Sequence, residues 1–490
     1  MTTVHPGLPA QGRSPADLLA ELTALTAADL PTRGGRTTAY VYDSGRAEVR
    51  AAAEAAYLAM LEVNGLDPTA FPSIVALERQ VVGATAARLG GDDSTPGIFT
   101  SGGTESIILA VKAARDARPD VTTPEIVVPV TAHAAFHKAG KYLGVSVVTT
   151  PVDPNTFRAV PALISAACTA NTVLVVASAP SYAHGVVDPV AVIAADAAER
   201  GIPCHVDACV GGWLLPWLAE AGAPVPAFDL SVPGVTSLSC DLHKFGYAPK
   251  GASVLLFRDE AMRLNAYYAC AAWPGYSVVN STVQSSKGAG PLAGAWATMQ
   301  ALGADGYREL GRSALAATRR LIAGVEALDG LTVLGCPDAT LVALGTDADL
   351  DLFALADESR ARGYFLQPQL SLDGLPANLH LTLTGVSEQG VEELLAVLAE
   401  CVDAVRPLGP AKPPADIVEL LGQVDLTGLD NASFAALLPA AGVDLGGAGP
   451  ARMAPVNRLL DALPPATREV IVARFLSALY SPHLSPGPNS

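Results

Sequence analysis

Between Ile74 and Ser253 the chain repeats one pattern, in which helical runs alternate with short apolar runs of strand length. The short runs are Glu125–Val130, Val145–Thr149, Thr172–Ser178, Pro203–Ala208, Val235–Cys240 and Ala252–Phe257, with intervals that leave room for crossover helices. A strand that is apolar on both sides must be covered on both sides, and a parallel neighbour needs a crossover. The pattern therefore predicts an α/β fold with a mostly parallel sheet between two layers of helices. Ligands of such sheets gather at the carboxyl ends of the strands, and the residues that bear chemistry fall there.

Lys244 directly follows His243 in Ser239-Cys-Asp-Leu-His-Lys-Phe-Gly-Tyr-Ala-Pro-Lys-Gly251, just after the run Val235–Cys240. A lysine at the end of a buried strand loses hydration, which lowers its pKa and frees the amine for Schiff-base chemistry; the alternative is a solvated loop lysine. An aldehyde cofactor on such a lysine needs a phosphate cradle and an anion opposite its ring nitrogen. Phe99-Thr-Ser-Gly-Gly-Thr-Glu105 offers the cradle. Gly102 and Gly103 admit close backbone approach, and the helical run Ser106–Ala117, entered through Thr104, points its first amides at an anion. Asp207, followed by Ala208 in His205-Val-Asp-Ala-Cys209, ends another apolar run and offers the anion. His133 in Thr131-Ala-His-Ala-Ala-Phe136 offers a flat ring to stack on the cofactor. A tight turn, a strand-end carboxylate and a core histidine would explain these motifs singly. Their order along one chain carries the weight.

That order is Ser-Gly-Gly-Thr-Glu-Ser, Ala-His-Ala-Ala-Phe, Ser-Ala-Pro with His-Gly-Val-Val-Asp-Pro, His-Val-Asp-Ala-Cys, and Asp-x-His-Lys-x-Gly-Tyr-Ala-Pro-Lys-Gly. It resembles the sphingosine-1-phosphate lyase branch of the pyridoxal-phosphate group II decarboxylase family, from about Gly35 to about Ser481. The Tyr-Ala-Pro-Lys-Gly continuation and the terminal Phe-Leu-Ser-Ala-Leu-Tyr-Ser481 are more specific to the lyases than the cofactor motifs. The resemblance implies fold type I of the pyridoxal-phosphate-dependent transferases, a large domain with a mostly parallel mixed sheet plus a smaller α/β C-terminal domain. It implies a homodimer with sites at the subunit interface, and pyridoxal 5'-phosphate held by Lys244. Asp207 would meet the pyridine nitrogen, His133 would stack on the ring, and Gly102, Gly103, Thr104 and His243 would hold the phosphate.

The substrate side is read from the same resemblance. The stretch Gly34–Asp43 matches a loop that reaches the neighbouring subunit's site, with Tyr42 as its tyrosine, unless Tyr42 packs an N-terminal arm. In Asn64-Gly-Leu-Asp-Pro the lyases usually place a histidine associated with the substrate's phosphate where this chain has Asp67. A carboxylate repels phosphate, so the substrate carries an amine or hydroxyl there, or Asp67 caps the following turn. Lys250 matches a lysine associated with substrate phosphate and could equally pair with Asp67. His184, in Ser178-Ala-Pro-Ser-Tyr-Ala-His-Gly185, either positions substrate or is held by backbone. Trp273, in Trp273-Pro-Gly-Tyr276, and the loop Ser281–Gly290 follow. Ser285, Ser286 and Lys287 of that loop are candidate donors to the neighbouring subunit's cofactor phosphate, with Lys287 standing where the lyases usually have arginine.

The implied chemistry is retro-aldol cleavage of a small-molecule amine substrate to an aldehyde and a small amine, phosphoethanolamine if the substrate is a phosphorylated sphingoid base. An amino-acid decarboxylase on the same scaffold is the alternative. A nucleotide-binding protein is disfavoured because no Gly-Lys-Ser/Thr follows the glycines, and a retired enzyme is disfavoured by the intact Lys244, Asp207 and His133.

At 490 residues the chain exceeds one ordinary domain. The expected division is an N-terminal arm over 1–73, the large domain over 74–305, the small domain over 306–406, and a proline linker with a helical tail over 407–490. Half of the residues are hydrophobic, yet no run has the length of a membrane span. The start, Met1-Thr-Thr-Val-His-Pro-Gly, lacks the basic region and apolar core of a signal peptide, so a cytoplasmic protein without a membrane anchor is expected. A formal charge of −17 argues against a nucleic-acid partner and supplies no long-range attraction for an anionic substrate. Seven scattered cysteines without a C-x-x-C pair read as reduced core thiols, with neither disulfides nor a metal site.

Overall fold

The computed structural model describes residues 8, 9, 11–423, 428, 434 and 452–480. The first seven residues and the expected fraying of the last ten lie outside the described residues. The chain divides into two compact units, one of Thr32–Leu344 with His380–Leu395, the other of Met1–Pro31, Gly345–Leu379 and Ala396–Ser490.

The larger unit is built on a seven-stranded sheet: β1 (Gly97–Thr100), β2 (Glu125–Pro129), β3 (Ser146–Thr150), β4 (Thr172–Ser178), β5 (Cys204–Asp207), β6 (Val235–Cys240) and β7 (Ser253–Phe257). Their spatial order is β1-β7-β6-β5-β4-β2-β3, with β7 antiparallel to β6 and β1 and the rest parallel. The six apolar runs of the sequence are thus strands β2 to β7, and the sheet is mixed as expected. Every residue of β4 and β7 is buried, as a sheet covered on both faces requires. Strand β1 is a seventh strand without a sequence signal of its own, four residues long and begun by glycine, whose pairing is supplied by β7.

Register does the positioning. Ser178, Asp207 and Ser239 are aligned across the carboxyl ends of β4, β5 and β6. The cradle helix, Gly103–Asp116, follows β1 at once, and its inner face, including Ile107, Leu109 and Val111, is buried against the sheet. After β7 the stretch 268–280 contains a hairpin, with Tyr268 paired to Asn280 and Cys270 to Val278. The long run Gly290–Glu326 that follows is two helices meeting at a kink at Gly303, where φ is +58°. Glycine tolerates that left-handed angle, so the interruption costs little.

In the other unit the helices Ala454–Ala462 and Pro465–Leu479 are tied to the segment 351–371 by charge. Arg458 Nε donates to Asp351 Oδ2 at 2.7 Å, Asp357 accepts from the backbone N–H groups of Met453 and Ala454, and Asp461 accepts from Ser371. Asp351 also caps the helix Leu352–Ala361 through Ala354 N–H. Among the described residues no helix is long and apolar enough to cross a membrane.

Candidate active site

The turn that follows β6 is held by its own backbone. Asp241 N–H donates to Cys209 O, His243 N–H to Ala252 O, and Ala252 N–H returns to His243 Nδ1 at 3.1 Å. Lys244 is thereby fixed at the strand ends with its side chain 19% exposed, and its Nζ lies 3.0 Å from Asp241 Oδ2. The sequence expectation of a lowered lysine pKa is corrected here. Burial is the largest single cause and pushes Lys244 down, but the groups around it, Asp241 first among them, together outweigh it and leave the ammonium above the ordinary lysine range. Burial alone would raise Asp241, and Lys244 and His243 bring it below the usual carboxylate range. Asp241 was not singled out in the sequence; its signal was an aspartate three residues before the lysine.

The cradle meets this turn directly. A Cβ at Gly102 would stand 3.3 Å from His243 Cε1, and one at Gly103 would stand 2.6 Å from Cys209 Sγ and 2.9 Å from Asp241 Oδ2. Gly102 and Gly103 therefore lie flat against the lysine turn, and no side chain caps the first amides of the helix, Gly103 and Thr104 among them. Glu105 braces the loop below, accepting from Ser101 N–H at 2.7 Å and from Val283 N–H at 2.8 Å. Asp207 accepts from Cys209 N–H (3.1 Å) and from the Ser239 hydroxyl (3.4 Å), and Ala208 beside it is buried. His133 is exposed, with its Nδ1 accepting from Ala135 N–H, so the ring is oriented and accessible. Burial is the first cause of the lowered pKa of His243, whose Nδ1 is already an acceptor.

These groups fit a phosphorylated pyridine aldehyde. They offer an amine, a carboxylate, a flat exposed ring and a glycine-lined anion site at one set of strand ends. Three buried oxygens of the same region, Ser178 Oγ, Thr131 Oγ1 and Asp241 Oδ1, have no hydrogen-bond partner among the described residues, which a polar ligand would remedy. Gly103→Ala tests the cradle. The added methyl is expected to cost about 1–3 kcal/mol through the clash with Cys209 and Asp241 and to weaken retention of added cofactor, read by a thermal melt and by absorbance after dialysis.

Tyr42 joins this group within its own chain. Its ring meets Phe245 edge-on at 5.1 Å, Lys250 Nζ lies 5.3 Å from its centroid, and burial, partly offset by Lys244, pushes its hydroxyl up to about 12. Lys250 donates to Tyr40 O at 2.9 Å and does not pair with Asp67. Asp67 caps its turn, accepting from Thr69 N–H, the Thr69 hydroxyl and Ala70 N–H. The Thr69 hydroxyl is the first cause of its lowered pKa.

Asp67 lines a separate cavity of about 620 Å³ with Ser285, Lys287, Tyr276 and Glu78. Lys287 is engaged there by Glu78 at 2.8 Å and Phe99 O at 3.1 Å, while Ser285 and Ser286 are exposed. Trp273 is exposed and donates to Tyr276 O. Neither ring nitrogen of His184 has a hydrogen-bond partner among the described residues, so the ring is not held by backbone. It is 1% exposed and stacked on Phe157 at 4.0 Å, and burial pushes it down to about 4.

The profile of the pyridoxal-dependent decarboxylase conserved domain matches residues 58–344, and that of a C-terminal domain of pyridoxal-dependent enzymes matches 415–478. The chain is 36% identical to the sphingosine-1-phosphate lyase of Dictyostelium discoideum over 392 residues, covering 80% of this chain and 74% of that protein. It is 36% identical to the sphingosine-1-phosphate lyase of Oryza sativa over 414 residues, covering 83% and 76%. Among solved structures, the sphingosine-1-phosphate lyase of Burkholderia pseudomallei superposes with a TM-score of 0.77 at 34% identity, covering 82% of this chain and 93% of that one. The glutamate decarboxylase of Lactobacillus brevis superposes with a TM-score of 0.72 at 17% identity, which speaks to the fold alone.

Proposed function

The chain belongs to the pyridoxal-dependent decarboxylase family, on its sphingosine-1-phosphate lyase branch, and from that membership we propose that it cleaves a phosphorylated long-chain amino alcohol by retro-aldol chemistry. The products are a long-chain aldehyde and phosphoethanolamine. The observation that carries this reading is the joining of Lys244, Asp241 and His243 to the Gly102–Gly103 cradle at the ends of the same strands that present Asp207.

Pyridoxal 5'-phosphate supplies an electron sink for the pair released when the bond between the amine-bearing and hydroxyl-bearing carbons breaks. Lys244 would hold the cofactor. Asp207, oriented by Cys209 N–H and the Ser239 hydroxyl, would keep a proton on the ring nitrogen, which the sink requires. His133 would cover the ring, and the amides of Gly103 and Thr104 with His243 would hold the phosphate. On the substrate side Tyr42 stays protonated up to about 12 and so donates a hydrogen bond, and Lys250 beside it supplies a cation. The substrate's phosphate falls to Lys250, since Asp67 is an exposed, ionised turn cap.

We take the working enzyme to be a homodimer, a reading supported by the exposed Ser285 and Ser286 beside an open cavity. Seven free cysteines support a reducing, cytoplasmic setting. The test is product analysis by mass spectrometry, with cofactor-loaded protein given a phosphorylated sphingoid base and, separately, a panel of amino acids. Aldehyde with phosphoethanolamine is the expected result. Carbon dioxide and an amine from an amino acid, with no aldehyde, would move the enzyme to the decarboxylases.

A further inference from the structure

Asp241 carries a buried charge that none of the roles above uses. Its carboxylate is 2% exposed, with Oδ2 3.0 Å from Lys244 Nζ and 3.6 Å from His243 Nε2, while Oδ1 has no hydrogen-bond partner among the described residues. A half-satisfied buried carboxylate costs free energy unless the charge beside it repays the loss of hydration. Its position is enforced from two sides, by its own N–H bond to Cys209 O and by Gly103, whose missing side chain leaves room for both carboxylate oxygens. The fold therefore keeps a costly anion against the amine that the cofactor needs.

An amine must be unprotonated to attack an aldehyde carbon, and contact with a carboxylate favours the ammonium form. We propose that Asp241 is a positioning residue that holds Lys244 as an ammonium ion, and so sets the pH at which this lysine takes up an aldehyde cofactor. The proposal rests on the reading that Lys244 is the cofactor lysine. The uptake step balances without an oxidant or reductant. The ammonium releases one proton to solvent, the amine nitrogen bonds to the aldehyde carbon, and the carbonyl oxygen leaves as water with the two remaining amine protons.

The other groups facing the pair do not substitute for Asp241. Tyr42 is neutral up to about 12, and burial, the largest cause, raises the Cys209 thiol well above its usual value. Asp207 acts on Lys244 in the same direction as Asp241 but more weakly. His243 and Lys250 are cationic or neutral and cannot hold an ammonium.

The experiment follows uptake of pyridoxal 5'-phosphate by cofactor-stripped protein from about pH 6 to about pH 9, with borohydride trapping and peptide mass spectrometry to quantify the Lys244 adduct. The wild-type rate is expected to keep climbing to the top of that range. Asp241→Asn should move the profile at least about one unit lower, which is about ten-fold faster uptake at neutral pH, since one pKa unit is a factor of ten. Asp241→Glu, which keeps the charge, should stay close to wild type. A wild-type rate already flat at neutral pH overturns the proposal, and this needs no variant to fold. So does an Asn profile equal to wild type, or a Glu variant shifted as far as Asn. Trapping on Lys250 instead of Lys244 would sink the cofactor assignment itself, whereas trapping on Lys244 with an unmoved profile sinks only the role of Asp241.

Discussion

Lys244→Ala is expected to remove the borohydride-reducible absorbance of the cofactor-loaded protein and to lower lyase activity by more than about 10⁴-fold. The size follows from the absence of a substitute nearby. Lys250 donates to Tyr40 O beside the Tyr42 ring, and Lys287 is paired with Glu78 in a different cavity. Neither amine is set against the Gly102–Gly103 cradle. Removal of the side chain also leaves Asp241 buried without its partner, so part of any change in the melting temperature belongs to that carboxylate. Absorbance and product formation should fall together. A reducible band that survived the substitution would mean that another lysine holds the cofactor.

Asp207→Asn should be the second largest loss, with kcat lowered about 10²–10³-fold, the scale seen when one preorganised electrostatic partner is removed. Asparagine can still accept from Cys209 N–H and Ser239, so β5 and its neighbours stay in register and the melting temperature should move little. What it cannot do is favour a proton on a pyridine nitrogen, because it carries no negative charge. The effect should therefore appear in kcat more than in KM. If kcat stayed within a few-fold of wild type, the ring nitrogen would not need Asp207 and the electron-sink argument for this residue would fail.

The sheet was largely legible because each of β2 to β7 falls in a short run of strand length built around apolar or β-branched residues, with turn residues or helical pattern on both sides, a signal contained in a short window. β1 was not, since Gly97–Thr100 is too short to show a period and is a strand only because β7 supplies its partner. The hairpin at 268–280 is exposed on most of its surface, and without a buried face it has no alternation to read. The catalytic candidates were legible as motifs at strand ends, but their surroundings were not. For His184 the sequence allows either substrate positioning or a hold by backbone, and the structure instead stacks its ring on Phe157, far back in the chain. Asp67 and Lys250, which sequence allowed to pair, are each satisfied by other groups.

What the sequence determined by itself was therefore the class of fold and the family, and it singled out Lys244 as the lysine proposed to hold the cofactor, all carried by local pattern and by the order of short motifs. What only the tertiary structure decided was the charge on that lysine. Desolvation alone would lower its pKa. The groups around it, first among them the carboxylate of Asp241, held by Cys209 after β5 and given space by Gly103 after β1, together reverse the sign. Asp241 and Lys244 stand three residues apart in one turn, but the burial that gives their 3.0 Å contact its strength comes from the loops after β1 and β5, and no window of sequence contains those together with β6.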